Sequence, residues 1–417
     1  MKSLAITALF AVTLTATLTA TVQAQTAPKT HKAVFIIVDG VSADTIEKEA
    51  VPHLKSIAQV GGYTRAYVGG EKDGYSQTPT ISAVGYNSVL TGTWVNKHNV
   101  WGNDIKEPNY SYPTIFRLFK EAYPQRKTAI FSSWLDNRTK LVGDKLPATG
   151  NLPIDISYDG LENNLISFPH DAEKDYMQEI DQSVAAHAAQ SIRVGAPDLS
   201  WVYLEYTDDM GHRYGDSPQF TRSVGLADQK VGLVWDAVQY REKNFNEEWM
   251  IVVTTDHGRS ASNGKGHGGQ SDRERSSWIF TNAKPLNPQF AAPRASVVDI
   301  MPTLARFLEV KVPLQYEREV DGVPFTGKIS ATEAKAQFKD GKIEVQWQPV
   351  DQKGQMKIWL TNTNNAKTGG ADNYRLVKTV TVKQGQASLE VGEAPELSKV
   401  VLEGPYNTLN RWVVGKK

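Results

Sequence analysis

Three aspartates and three histidines stand where apolar runs end. Asp39 closes AVFIIVDG, and Asp208 and His212 follow in WVYLEYTDDMGH. Asp256 and His257 end MIVVTTDHG, and His267 comes soon after in GKGHGG. Carboxylates and imidazoles together suit zinc, manganese or iron. Six such groups are about the number two metal ions need, and a hydroxyl beside two metals can carry out displacement at phosphorus. Such a hydroxyl is available in residues 78–104, TPTISAVGYNSVLTGTWVNKHNVWGND. Small residues around Ser82 suit a hydroxyl at a helix start, where backbone N–H groups meet a phosphoryl oxygen. Chemistry alone does not separate Ser82 from an ordinary helix cap.

The spacing adds detail. Asp208 and His212 are four apart, so on a helix they face the same way; the same pattern would serve a surface ion pair. Asp256 and His257 leave a strand together, and Gly258 lets the chain turn behind them. Glycines 264, 266, 268 and 269 around His267 allow close backbone approach to a metal or phosphate, or make a plain surface loop.

These residues need a frame that brings distant segments together. KAVFIIVDG, KTAIFSSW, DLSWVYLEY and EWMIVVTTD are continuous β-branched and aromatic runs, as in strands buried on both faces. Helix-like stretches alternate with them at 43–60, 112–121, 176–192 and 223–241. This predicts an α/β fold with a mostly parallel sheet covered by helices on both faces. In such sheets ligands gather beyond the C-terminal strand ends, where Asp39, Asp208, Asp256 and His257 fall. Residues 140–170 break the rhythm with Pro, Gly and Asn and read as an inserted loop region over or beside the site. The helix around Asp299–Leu304 and the segment VDGVPF read as closing elements. From residue 330 onward, short alternating strands such as KIEVQWQPV and MKIWLTNT predict a separate antiparallel β-sandwich-like module.

Composition narrows the function classes. The chain has 417 residues with 46 Lys+Arg and 46 Asp+Glu, so there is no global basic field for nucleic acid. It has no cysteine, which excludes disulfides, thiolate metal sites and a thiol nucleophile. Residues 1–24 read as a secretory signal with cleavage near Ala24, implying a periplasmic or secreted protein with no transmembrane segment after cleavage. The metal-dependent phosphohydrolase domain is then expected over 25–329 and the β module over 330–417.

VDG near the start, T-G-x-x-x-x-x-H-x-V, D-x-x-G-H, T-D-H-G and G-H-G-G occur here in one order. In this the chain resembles the alkaline phosphatase superfamily, and most of all its type I phosphodiesterase/nucleotide pyrophosphatase branch, over roughly residues 31–326. The resemblance implies a nucleophile ten positions before Gly92, which is Ser82. It implies two divalent metal ions, usually zinc: Asp39, Ser82, Asp256 and His257 would take the first, and Asp208, His212 and His267 the second. It implies a two-step displacement through a phospho-Ser82 intermediate. An Asn donor is expected three residues after the nucleophile, where this chain has Gly85. Asn103 is then the best substitute donor, and Gly85→Asn is expected to change substrate preference more than metal content.

The expected substrate is a small-molecule or head-group phosphate ester, of diester or pyrophosphate type. A phosphomonoesterase is the main alternative; it would need an Arg to clamp two free phosphoryl oxygens, with Arg259 and Arg275 available. A sulfatase fits less well, because there is no Cys and Ser82 is followed by Ala83-Val84-Gly85. A non-catalytic surface-binding protein would predict broken ligand positions, yet all seven are filled. The β module's partner stays open.

Overall fold

In a computed structural model, which describes residues 28–415, the run KAVFIIV becomes the middle of a seven-stranded sheet. The signal and its cleavage near Ala24 lie outside the described residues. The strands are β1 (Thr30–Val38), β2 (Gly62–Tyr67), β3 (Thr128–Ser132), β4 (Ile156–Tyr158), β5 (Leu199–Leu204), β6 (Glu247–Thr254) and β7 (Ser276–Thr281). Their order is β2-β7-β6-β1-β5-β3-β4. β1 runs parallel to β5 and β6, and β3 parallel to β5 and β4; β7 is antiparallel to both β6 and β2. The sheet is thus mostly parallel, as expected, with an antiparallel pair on one edge that the sequence reading missed.

Burial explains the apolar runs. Side chains alternate across a strand, and in β1 both sets meet a helical layer. Phe35 and Ile37 pack on one face with Trp201, Tyr86 and Phe116. Val34, Ile36 and Val38 pack on the other with Val202, Ile180 and Val231. Helices α1 (Ala43–Lys48) and α2 (Pro52–Val60) replace the single helix expected over 43–60, because Pro52 starts a new helix. Next come α3 (Ser82–Thr91), α4 (Val95–His98), α5 (Ile115–Ala122), α6 (Asp175–Gly195), α7 (Tyr206–Tyr214), α8 (Pro218–Asn244) and α9 (Ile300–Phe307). Within the inserted region, β4 extends the sheet edge beside β3.

The C-terminal region forms two antiparallel sheets. One is ordered β11 (Arg375–Thr381), β10 (Gln355–Thr361), β13 (Leu397–Glu403), β14 (Thr408–Val414). The other is β12 (Gln386–Glu390), β9 (Lys342–Pro349), β8 (Ala331–Lys339). Both contribute to one apolar core, including Val345, Trp347, Ile358 and Leu402. Buried polar bonds join the module to the α/β part. Lys399 Nζ donates across the junction to Glu319 at 2.9 Å, and within the module to Asp372 at 2.8 Å. Lys97 Nζ, paired with Asp321 at 2.6 Å in the α/β part, donates across the junction to Asn410 Oδ1 at 2.9 Å. Among the described residues, no helix is long and apolar enough to cross a membrane.

Candidate metal centre

The parallel register levels the strand ends. Val38 pairs with Leu204, and Ile37 with Thr254. Two residues beyond the second pair, Asp39 and Asp256 therefore emerge side by side. Asp208 follows β5 in the first turn of α7, with His212 one turn later. His257 follows Asp256, and the glycine-rich loop returns His267 against it: the two imidazoles stack at 3.8 Å between centroids. Ser82 is buried at the first turn of α3.

Around His257, Nε2 lies 3.4 Å from Asp39 Oδ1, 3.2 Å from Asp256 Oδ2 and 3.3 Å from Ser82 Oγ. The other ring nitrogen, Nδ1, donates to Gly258 O at 2.9 Å, which leaves the Nε2 lone pair toward the carboxylates. Asp39 Oδ1 and Asp256 Oδ2 are buried and accept no hydrogen bond. Bare buried carboxylate oxygens are costly unless a cation meets them. Two of them converging on one imidazole nitrogen and one hydroxyl fit a metal ion.

The second cluster sits beside the first. Asp208 Oδ2 is 3.1 Å from His212 Nε2, Asp208 Oδ1 is 3.9 Å from His267 Nε2, and the two histidine Nε2 atoms are 3.0 Å apart. His267 Nδ1 donates to Thr80 O at 2.9 Å, again leaving Nε2 inward. Ligand-competent atoms of Asp208, His257 and His267 come within 4.8 Å of one another, as do those of Asp39, Asp256 and His257. His257 thus stands between the clusters.

The electrostatics separate the three carboxylates. Burial, reinforced by repulsion from Asp256 and Asp208, holds Asp39 well above the usual carboxylate range. Asp256 is pushed up to about 7, first by burial and then by Asp208. Burial also works against ionised Asp208, but the His212 hydrogen bond, together with His257, the Arg259 guanidinium and His267, outweighs it and holds Asp208 low. Burial, then His267, keeps His257 well below the usual imidazole range. A neutral imidazole is the form that binds metal.

Several supporting residues escaped the sequence reading. Tyr86 and Tyr203 both donate to Asp39 Oδ2, Tyr203 at 2.7 Å, and so leave Oδ1 as the bare oxygen. Thr207 Oγ1 donates to Asp39 O at 2.6 Å. The one signal was a Tyr inside an otherwise apolar strand, which also suits a plain core position. His98, singled out in the motif, is structural: it is buried, with Nε2 3.1 Å from Ser88 Oγ and Nδ1 accepting from Val100 N.

Gly85, where the resemblance expects an Asn donor, packs against the neighbouring strand end. It does not face open space beside Ser82. A Cβ at this position would lie 2.7 Å from Asp256 O and 2.8 Å from Asp256 Cβ, so the helix uses the missing side chain to pack against the Asp256 strand end. Asn103 stands closer to the chemistry. Its Oδ1 accepts from Ala83 N at 3.0 Å, which fixes the amide beside Ser82 with the NH2 end left to donate. The two arginines weighed as clamps are engaged elsewhere. Arg259 is fully buried and donates to Asp208, Gly264 O and Lys265 O. Arg275 donates to Gly69 O, Gly70 O and Gln270 Oε1.

The family model described as type I phosphodiesterase / nucleotide pyrophosphatase matches residues 33–275. A venom phosphodiesterase of Naja atra is 23% identical over 226 residues, covering 45% of this chain and 27% of that protein. The chain thus spans about a quarter of that relative's length. Among solved structures, murine ectonucleotide pyrophosphatase/phosphodiesterase 5 has a TM-score of 0.49 and 13% identity, covering 68% of this chain and 96% of that one. A 2-O GAG sulfatase has a TM-score of 0.50 and 11% identity, covering 86% and 84%. The sulfatase likeness speaks to the fold alone. With the family match spanning more than half its residues, the chain belongs to the type I phosphodiesterase / nucleotide pyrophosphatase family.

Proposed function

We propose that this protein is a secreted two-metal hydrolase that cleaves phosphate diesters or pyrophosphate-type bonds through a phospho-Ser82 intermediate. The observation that carries the reading is Ser82 Oγ, 3.3 Å from His257 Nε2, at the start of α3 beside two bare carboxylate oxygens. Asp39, Ser82, Asp256 and His257 would hold one ion and Asp208, His212 and His267 the other, with zinc expected. Bound ions would polarise the phosphoryl oxygens and lower the pKa of the Ser82 hydroxyl.

The chain's own groups do the rest. Ser82 Oγ, its proton released to solvent, attacks phosphorus in line with the leaving oxygen, forming the Oγ–P bond as the ester P–O bond breaks and the leaving oxygen takes a proton from water. Asn103 and the α3 N-terminus donate to a phosphoryl oxygen. Water then attacks phosphorus, breaks the Oγ–P bond and returns Ser82.

A diester is favoured over a monoester because Arg259 is held by Asp208 and Arg275 lines a separate cavity that none of the proposed metal ligands lines. A monoester carries one more unesterified oxygen, and no free guanidinium is at hand to clamp it. Residues 1–24 are read as the export signal. The test compares bis-p-nitrophenyl phosphate with p-nitrophenyl phosphate on the zinc-loaded protein. Faster diester turnover is expected; faster monoester turnover would sink the diester reading.

A further inference from the structure

A cavity of about 600 Å³ opens where the loop after β2 meets β8 and β14 of the C-terminal module. Its volume is in the range of small-molecule sites, which favour the junctions between domains. None of the proposed metal ligands lines it. Tyr67, Tyr75 and Trp94 give it aromatic walls. Tyr67 stacks on Trp94 at 5.8 Å, and Tyr75 on Trp412 at 5.7 Å, so the rings are held in place.

Three arginines line the cavity; Arg294 is paired with Glu333, and the hydrogen bonds of the other two go to neutral acceptors. Arg411 donates to Asn410 O at 2.7 Å. Arg275 donates to Gly69 O at 3.0 Å, Gly70 O at 2.7 Å and Gln270 Oε1 at 2.6 Å. Gly69 has φ +96° and Gly70 φ +65°, and a Cβ at Gly69 would lie 2.8 Å from Arg275 Nη1. The turn therefore depends on glycine to seat this guanidinium. Neither arginine forms an ion pair among the described residues. A guanidinium has five N–H donors, so both keep unused ones.

The remaining lining charges do not cancel these two. Asp321 is bound to Lys97, and Glu333 lies 3.8 Å from Arg294. Lys72, Arg275, Lys335 and Arg411 then stand against Glu71 and Asp299 alone, two positive charges in excess. A partly enclosed, aromatic-walled cavity with that excess is matched by a dianion on a flat body.

We propose that this cavity is a second binding site, taking a small phosphate monoester carried on an aromatic or heterocyclic body. Arg275 and Arg411 bind the phosphate, and the aromatic walls bind the ring. Lys72 and Lys335 at the exposed rim attract the charge. The proposal does not depend on the reaction assigned to the metal centre.

The test is calorimetric titration of the full-length chain with inorganic phosphate and 5′-AMP, in a Ser82→Ala background and with and without chelator. An AMP binding event that survives chelation and Asn103→Ala is expected, tighter than phosphate. Arg411→Gln should weaken it at least tenfold. Should Arg411→Gln not fold, the exposed pair Lys72→Gln/Lys335→Gln decides, with an expected loss of threefold or more that shrinks at high salt. The proposal is overturned if AMP binding disappears with chelator, if AMP binds no tighter than phosphate, or if affinity is unchanged in the deciding variant.

Discussion

Gly85 lies against Asp256 so closely that a Cβ would sit 2.8 Å from the Asp256 Cβ. The helix carrying Ser82 and the strand end carrying Asp256 are in close contact at this residue. Gly85→Ala, and more so Gly85→Asn, should push Asp256 out of place and lower metal content together with activity. Metal analysis of the purified variants reads this directly. Full metal content with altered substrate preference would restore the expectation drawn from sequence.

Ser82→Ala should reduce turnover by roughly a thousandfold or more, as removal of a nucleophile does. Ser82→Thr should keep some activity. Ser88 is the control: its hydroxyl donates to Val84 O at 2.9 Å and lies 3.1 Å from His98 Nε2, which is not among the proposed ligands. Ser88→Ala should cost about 1 kcal/mol of stability and far less activity. Trapping the phosphorylated peptide at any residue but Ser82 moves the nucleophile elsewhere.

Asn103→Ala should lower kcat by about 10²–10³ with metal content unchanged, in line with loss of one preorganised donor. Steady-state kinetics on bis-p-nitrophenyl phosphate measures it. A drop of less than threefold would take Asn103 out of the phosphoryl site.

Stability of the metal-free protein should depend on pH. Asp256 is pushed up to about 7 and Asp39 is raised as well, so the folded chain holds protons that the unfolded chain releases near the ordinary carboxylate pKa. Folding stability therefore falls as pH rises from about 4 through about 7. The Tm of chelated protein should be lower at pH 8 than at pH 5.5, and zinc should raise it more at pH 8, where no proton has to be displaced. Equal zinc-induced shifts at both values would argue against Asp39 and Asp256 as ligands.

Lys399→Met should destabilise the chain by about 3–5 kcal/mol, because it leaves Glu319 and Asp372 buried without their cation. Urea titration gives the value. For the same reason a chain cut near residue 330 should lose stability, since Lys97 would lose Asn410 and Glu319 would lose Lys399. A truncated chain as stable as the whole one would mean that these bonds are replaced by water without cost.

The strands with the proposed ligands were legible because burial on both faces writes itself as an uninterrupted apolar run. β1, β5 and β6 are such runs, and each hands over to an Asp within four residues. β2, GYTRAY, was not legible: an antiparallel edge strand is half exposed, so Arg65 sits among its aromatics. The order of the motifs pointed to Ser82, but nothing local could show that Gly85 touches residue 256 or that Asn103 Oδ1 meets Ala83 N. Nor could it show that Arg259 serves Asp208, fifty-one positions away. These contacts are made only when separate elements pack, so no window of sequence contains them. Tyr86 and Tyr203 were hidden differently, since a tyrosine in a core run looks the same whether or not its hydroxyl holds a carboxylate.

The strands leading to the three aspartates are consecutive across the middle of the sheet, in the order β5, β1, β6. Central strands are where backbone amides exchange last with solvent, because opening them requires global unfolding. The carboxylate cage is therefore assembled by the same cooperative event that folds the sheet, before any ion arrives. Capturing an ion then requires no rearrangement of the main chain. Loading should run at a pace set by the ion shedding its water, and a chelated protein should recover its metal without refolding.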